Sequence, residues 1–268
     1  MKIIKVIKSI DINLQNLKKA VLLCFYVEGI LFLTTFILSL FNMSIGIVPN
    51  IVYLATVLVI ATRIDKDELR RILVWRDIPI SVFAGIMVMF FGLEIVKSEL
   101  NNLFKMAIPV PQGFFDNWYY EPDNVFLNII AHALFPGFTE EVFFRGIINR
   151  RFFRTYSPRK AILLSAALFG IMHLNPWQAI NAFYVGIFLG WIYWRCKSIW
   201  LCMFIHAYHN VLASYMPFPY IRVENSYYRE MWRHPLWFDV MGLLLFGLGL
   251  FTVIMLIREN QARKVSTR

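Results

Sequence analysis

Long apolar stretches separated by short basic loops constrain this chain more than any other feature. Of its 268 residues, 59% are hydrophobic and only 16% are charged, whereas a soluble domain has about 25% charged residues. A helix needs about 20 apolar residues to cross a bilayer. The composition therefore predicts an all-α membrane protein with eight transmembrane helices. The predicted spans are 20–40, 45–62, 79–97, 124–147, 160–175, 178–194, 198–213 and 236–257.

The basic residues of the loops predict the orientation of these spans. If the N-terminus lies inside, 21 of the 27 Lys and Arg residues fall in inside loops or termini, five fall outside, and Arg145 lies within a span. Because cytoplasmic loops carry an excess of Lys and Arg, both termini are predicted to face the cytoplasm. Basic loops and anionic lipid also account for the net charge of +10 without a nucleic-acid partner.

A single membrane domain is predicted between two basic ends. Residues 1–19 interleave lysine with isoleucine and valine, which is typical of an amphipathic segment on the membrane surface. Residues 20–257 form the eight-helix domain, and residues 258–268 form a basic cytoplasmic tail. No cleavable signal peptide is expected. The three cysteines indicate neither a disulfide framework nor a zinc-binding CxxC pair.

Three charged residues interrupt the fourth span. Each ionisable group in hydrocarbon costs about 2.5–3.5 kcal/mol, so such residues usually serve a function. Glu141 and Arg145 are four residues apart with the acid first, which is the favourable order for a helical ion pair. Glu140 points away from that pair. Low-dielectric surroundings would disfavour its charged form and make it a candidate general base for water. Alternatively, Glu140 lies at the cytoplasmic interface and is merely solvated.

Two further polar motifs occur at helical spacing in later spans. Phe169 precedes His173 by four residues, and His206 precedes Asn210 by the same interval. The imidazole and amide of the second motif could donate together to a developing oxyanion, although His and Asn also form ordinary interhelical hydrogen bonds in membrane bundles. His173 is likewise either a catalytic histidine or a hydrogen-bonded core residue. His209 is expected to be structural.

The residues before Glu140 predict an irregular fourth helix. Pro136-Gly137 could kink or break it and leave Thr139 as a cap, which would open a polar cavity at membrane depth. The alternative is an ordinary proline kink. Glu28 and Glu94 are additional carboxylates within or near spans. Either could line that cavity or pair with a basic group.

Together, the motifs E-E-x-x-x-R, F-x-x-x-H and H-x-x-x-N in successive spans resemble the CPBP (CAAX protease/Abi) family of intramembrane endopeptidases. The closest sub-group is the type II CAAX prenyl endopeptidases, the Ras-converting-enzyme group. The resemblance covers roughly residues 124–213. It implies that Glu140 activates water with help from His173, and that His206 and Asn210 hold the oxyanion. Glu141 and Arg145 would be structural, and Phe169 would support the site.

The resemblance also implies a substrate and a location. The family removes the last three residues from a prenylated CaaX protein, so a prenylated C-terminus and membrane lipid are the expected partners. The site would lie in a polar cavity open to the cytoplasmic side of a prokaryotic cell membrane, or of the endoplasmic reticulum in a eukaryote. No nucleic acid is expected to bind.

Three alternatives remain beside this interpretation. We expect a metal-free glutamate mechanism, but Glu140, His173 and His206 could instead supply the three ligands of an open zinc site. A non-enzymatic scaffold or a bacteriocin-immunity protein could share the same fold. A proton-relay transporter would show corresponding motifs in both halves of the chain, whereas these motifs occur only in the second half.

Overall fold

The computed structural model describes residues 17–40, 48–64, 70–73, 75–111, 126, 129–215, 221–223 and 231–266. Within these ranges, each predicted span overlaps one helix. The helices are α1 Leu17–Leu40, α2 Val48–Ile64, α3 Ile80–Ala107, α4 at 130–155, α5 Pro158–Ile171, α6 Pro176–Cys196, α7 Ile199–Tyr215 and α8 Leu236–Ser266. Two short antiparallel strands, β1 Ile221–Val223 and β2 Met231–Arg233, pair between α7 and α8 with Ile221 opposite Arg233. The predicted segment 1–19 lies almost entirely outside the described residues.

Three of these helices are long and apolar enough to cross a membrane, namely Leu17–Leu38, Ile80–Ala107 and Leu236–Asn260. Large apolar side chains such as Phe32 on α1 and Leu244 and Phe251 on α8 are exposed. Apolar surface of this extent is typical of a membrane or protein contact. These features support a membrane protein. The count of eight spans and the inside location of both termini stay predictions.

The chain divides into two compact units. The first is built from residues 1–75 and 120–215 and contains α1, α2 and α4–α7. In it, α5 packs on α6, α7 packs on α4, and α2 packs on both α1 and α4. The second is built from residues 76–119 and 216–268 and contains α3, the β-hairpin and α8, with α8 packed along α3. All three sequence motifs therefore fall in the first unit.

Helix α4 is a continuous helical run that changes its hydrogen-bonding pattern. Ile130–Leu134 and Val142–Asn149 are π-helical, whereas Phe135–Glu141 and Arg150–Thr155 are α-helical. Pro136 has no N–H to donate, and the preceding π turn lets the Phe135 N–H bond the Ile130 carbonyl. The helix is thus irregular, as predicted, but it does not break. Thr139 is not a cap, because its hydroxyl donates to the Phe135 carbonyl at 2.9 Å.

Helix α5 ends earlier than the sequence predicts. The predicted span reaches residue 175, but the helix ends at Ile171 and a tight turn follows. Leu174 adopts a left-handed conformation with φ 56°, which is uncommon for a residue other than glycine. Asn175 then caps α6 by accepting the Gln178 N–H at 2.8 Å. His173 consequently lies in the turn between α5 and α6.

The backbones of α3 and α8 approach closely at Gly249. A Cβ atom added there would lie 2.4 Å from the Met89 nitrogen and 2.7 Å from the Gly85 carbonyl oxygen. Small residues permit this kind of close helix contact in membrane proteins. Gly247, two residues earlier on the same helix, has nothing within 4 Å of an added Cβ.

We predict that Gly249→Ala destabilises the protein, because the methyl group must push two helix backbones apart. The expected loss in the free energy of unfolding is about 2 kcal/mol. Gly247→Ala is the matched control, and it should be neutral or raise stability by up to about 1 kcal/mol. Thermal unfolding in detergent measures both variants. Equal stability of the two would contradict the close packing of α3 on α8.

Candidate active site

A single carboxylate oxygen joins α4 to α7. Glu141 Oε1 accepts a hydrogen bond from Arg145 Nη1 at 2.6 Å and another from His206 Nδ1 at 2.8 Å. The side chains of Glu141 and Arg145 are 0% and 1% exposed, and that of His206 is 5% exposed. The sequence predicted the ion pair within α4. The contact with His206 was not predicted, and it connects the first motif to the third.

The bond to Glu141 determines how His206 faces Glu140. An ionised carboxylate only accepts hydrogen bonds, so His206 Nδ1 carries a proton. The opposite ring nitrogen, Nε2, lies 3.8 Å from Glu140 Oε2. Two polar atoms at this separation can both contact one water molecule placed to the side of the line between them. Glu140 itself is 25% exposed, so solvent reaches this carboxylate but not Glu141.

His173 is held by the motif residue that precedes it. Its Nδ1 lies 2.9 Å from the carbonyl oxygen of Phe169. Because a carbonyl can only accept, Nδ1 donates, and Nε2 is left to accept a proton or to bind a ligand. The F-x-x-x-H spacing thus acts through a backbone carbonyl at the C-terminal end of α5. The partly exposed ring projects from the turn rather than from the side of a helix.

The ring of Phe169 is the apolar centre of the site. It is 2% exposed, and its centroid lies 5.0 Å from that of His173 and 5.7 Å from that of His206. The Arg145 guanidinium lies 4.9 Å from the same ring centroid, a cation–π distance. Arg145 also donates from Nη2 to the Gly186 carbonyl at 3.3 Å. Phe169 therefore brings α4, α5 and α7 together around the two imidazoles.

The last two predicted residues lie on α7. Asn210 is one helical turn beyond His206 and is partly exposed. The ring of His209 lies 6.4 Å from the ring of His206. Both residues therefore lie within about one helical turn of His206 on α7. His132, at the start of α4, is exposed and lies two turns before Glu140.

Helix α7 can approach α4 because residue 137 is a glycine. A Cβ atom at Gly137 would lie 2.8 Å from the nitrogen and 2.9 Å from the Cα of Ala207. Ala207 follows His206 directly, and Gly137 precedes Glu140 by less than one turn. The contact between these two small residues therefore determines the separation of the carboxylates from the imidazole. This role of Gly137 was not predicted from the sequence, which indicated only a kink.

Metal-ligand side chains cluster elsewhere. In the described ranges, the group whose ligand atoms all lie within 4.8 Å of one another is Glu99, His234 and Asp239, in the second unit. The polar atoms of this group already form hydrogen bonds within the protein. Glu99 accepts from Arg233 Nε at 2.6 Å and from the His234 N–H at 3.0 Å, and His234 Nδ1 lies 2.9 Å from Asp239 Oδ1. These hydrogen bonds connect the end of β2 to α3 and to the first turn of α8.

The predicted zinc ligands are arranged differently. Glu140, His173 and His206 do not form a group of this compactness among the described residues. Each imidazole nevertheless directs its hydrogen-bonded Nδ1 away from the site and keeps Nε2 available. The metal-free mechanism and its zinc-dependent alternative both stay predictions.

Comparison with known families agrees with the motifs. Residues 122–212 match the family model described as type II CAAX prenyl endopeptidase Rce1-like. The match contains all three motifs and supports the resemblance, drawn from them, to the type II CAAX prenyl endopeptidases of the CPBP family. No curated protein and no solved structure matches the chain significantly.

We predict that Glu141→Gln strongly destabilises the protein, because it leaves the buried Arg145 guanidinium without its counter-charge. Breaking a buried ion pair on one side costs about 3–5 kcal/mol. The double variant Glu141→Gln/Arg145→Met removes both charges and should recover much of that loss. Thermal unfolding in detergent of wild type, each single variant and the double variant gives the coupling energy between the two side chains. Strictly additive effects would contradict the ion pair.

Proposed function

We propose that this protein is an intramembrane endopeptidase that removes the C-terminal tripeptide from prenylated CaaX proteins. The observation that carries the proposal is the 3.8 Å approach of Glu140 Oε2 to His206 Nε2, within the segment that matches the family. A partly exposed carboxylate beside an oriented imidazole is suited to activating water for attack on a carbonyl. The membrane character of α1, α3 and α8 is consistent with a lipid-modified substrate.

Water activation begins the reaction. Glu140 accepts a proton from a water molecule, and the resulting hydroxide attacks the carbonyl carbon of the prenylated cysteine. His173 Nε2 assists by accepting a hydrogen bond from the same water. The Phe169 carbonyl supports this role, because it holds the His173 proton on Nδ1 and leaves Nε2 as the acceptor.

Attack converts the carbonyl oxygen into an oxyanion, which needs hydrogen-bond donors. We assign that role to His206 Nε2 and to the amide of Asn210, one turn further along α7. For Nε2 to donate, the His206 ring must carry a second proton, and the buried Glu141 carboxylate at Nδ1 balances that charge. Glu141 therefore acts through His206, and Arg145 keeps Glu141 in place.

Collapse of the tetrahedral intermediate completes the reaction. The bond between the carbonyl carbon and the amide nitrogen breaks, and the leaving nitrogen takes the proton that Glu140 accepted from water. The second proton of the water leaves the new carboxyl group for the amine, so the products are a prenylated cysteine carboxylate and a tripeptide with a protonated N-terminus. Glu140 is again ionised, and no other reactant is consumed.

The location of the site completes the proposal. We place eight spans in the membrane with both termini in the cytoplasm and the site near the cytoplasmic face. The distribution of Lys and Arg supports this orientation. A prenylated tail inserts its lipid into the same leaflet, so the substrate can reach the site by diffusing in the membrane plane.

Hydrolysis of a farnesylated CaaX peptide tests the proposal. We predict that purified wild-type protein releases the tripeptide. Glu140→Gln should reduce kcat about 10³-fold, because general base catalysis contributes about 10²–10⁴-fold. Asn210→Ala should reduce kcat about 10²-fold as an oxyanion donor is lost. Mass spectrometry of the released tripeptide measures each rate.

His132→Ala is the matched control, because His132 is an exposed histidine on the helix that bears Glu140. It should cleave at the wild-type rate. Absence of cleavage by wild type would favour a non-enzymatic scaffold or immunity protein of the same fold. Activity lost on chelation and restored by zinc would establish the zinc-dependent alternative.

A further inference from the structure

Helix α4 carries a row of three buried polar side chains. Glu141, Arg145 and Asn149 follow one another at intervals of four residues. Glu141 and Asn149 are 0% exposed, and Arg145 is 1% exposed. The mechanism above uses the first two, because Glu141 orients His206 and Arg145 holds Glu141. It gives Asn149 no role.

Asn149 is a buried amide without a hydrogen-bond partner. Neither its Nδ2 nor its Oδ1 bonds any group in the described part of the chain. Arg145 has a similar atom. Its Nη1 and Nη2 donate to Glu141 and to the Gly186 carbonyl, whereas its Nε bonds no group within the described ranges. Most buried polar groups in proteins are hydrogen-bonded, and an unpaired one costs free energy. These two residues therefore indicate a ligand.

The two side chains converge on one turn of α6. Arg145 Nη2 donates to the Gly186 carbonyl at 3.3 Å. In an α-helix, this carbonyl points towards the N–H of residue 190. A Cβ atom added at Gly190 would lie 3.1 Å from Asn149 Nδ2 and 3.2 Å from Ile162 Cγ2. The Asn149 amide thus occupies the space that the glycine leaves, beside the turn that Arg145 already bonds.

We propose that internal water occupies a site between Asn149 and Arg145, and that Asn149 is a positioning residue that holds the Arg145 guanidinium through this water. The water accepts a hydrogen bond from Arg145 Nε–H and donates one to Asn149 Oδ1. Buried waters typically bond polar groups that would otherwise be unpaired. The water site stands without the function proposed above, whereas its effect on catalysis rests on that function.

The polarity of the two residues selects water over an ion. Arg145 Nε can only donate, whereas the Asn149 amide has both donors and an acceptor. A ligand that pairs with both residues must therefore accept and donate. A metal cation cannot accept from Nε–H, and a bare anion cannot donate to Oδ1. The charge of Arg145 is already balanced by Glu141 at 2.6 Å, so the buried charge of an added ion would stay uncompensated.

The water extends the network that orients His206. The guanidinium is held at Nη1 by Glu141, at Nη2 by the Gly186 carbonyl and on its face by the Phe169 ring. A hydrogen bond at Nε holds the remaining edge and keeps Nη1 directed at Glu141. Glu141 in turn accepts from His206 Nδ1. Asn149 acts through this chain of contacts and touches none of the reacting atoms.

An experimental structure at a resolution that shows ordered water tests the site directly. A water peak should lie within about 3.2 Å of both Arg145 Nε and the Asn149 amide. The peak should be absent in Asn149→Leu, because the apolar side chain cannot bind water. It should persist in the matched control Asn181→Leu, since Asn181 donates to the Trp177 carbonyl of its own helix at 2.9 Å. A dry Asn149 in wild type would overturn the proposal.

Thermal unfolding in detergent gives a test in which the two possibilities differ in sign. If the amide were dry, Asn149→Leu would remove an unpaired polar group and raise Tm. With the water in place, the same variant leaves Arg145 Nε unpaired and should lower Tm by about 5 °C. Asn149→Ser keeps a hydroxyl that can bind the water and should recover most of that loss. A Tm of Asn149→Leu at or above that of wild type would overturn the water site.

Hydrolysis of the farnesylated peptide tests the positioning role. Asn149→Leu should lower kcat about tenfold at unchanged KM, because the substrate contacts remain while His206 is less well oriented. Asn149→Ser should restore kcat. An unchanged kcat in Asn149→Leu would overturn the positioning role.

The measurements separate the possible failures. If wild type cleaves no peptide but shows the water peak and the expected change in Tm, the proposed function fails and the water site stands. If wild type cleaves the peptide and Asn149 is dry, the water site fails and the peptidase stands.

Discussion

The buried carboxylate of Glu141 is the constraint on which the candidate site depends. One of its oxygens accepts from both Arg145 and His206, so an ion pair within α4 also orients an imidazole on α7. A buried pair of charges stabilises a fold only when its hydrogen bonds are well made. Here those bonds also specify which nitrogen of His206 faces Glu140. Stability and chemical orientation therefore arise from the same interaction.

The close packing of α4 against α7 allows Glu141 and His206 to reach each other. Gly137 and Ala207 bring the two backbones together, and the π turn Ile130–Leu134 adjusts the helix to the missing N–H of Pro136. Irregular turns of this kind are frequent at functional sites. Backbone geometry places the carboxylates, and Phe169 then fills the space between Arg145 and the two histidines.

Much of this arrangement was predictable from sequence, because the residues of each motif are separated by about one helical turn. The apolar segments gave the helix positions, and the interval of four residues gave the pair of Glu141 with Arg145. The contact of Glu141 with His206 was not predictable in this way, because the two residues are 65 apart and only tertiary packing joins them. The end of α5 was missed because apolar composition continues through Leu174 while the backbone already turns.

The burial pattern of α4 limits the direction from which a substrate can enter. Every residue from 141 to 149 is buried, so this part of the helix has no side open to lipid or water. Towards the N-terminal side of Glu140, by contrast, His132 and Leu134 are exposed. A molecule that reaches Glu140 therefore cannot pass along residues 141–149 of α4. The part of α4 that carries Glu141 and Arg145 is thus a closed side of the candidate site.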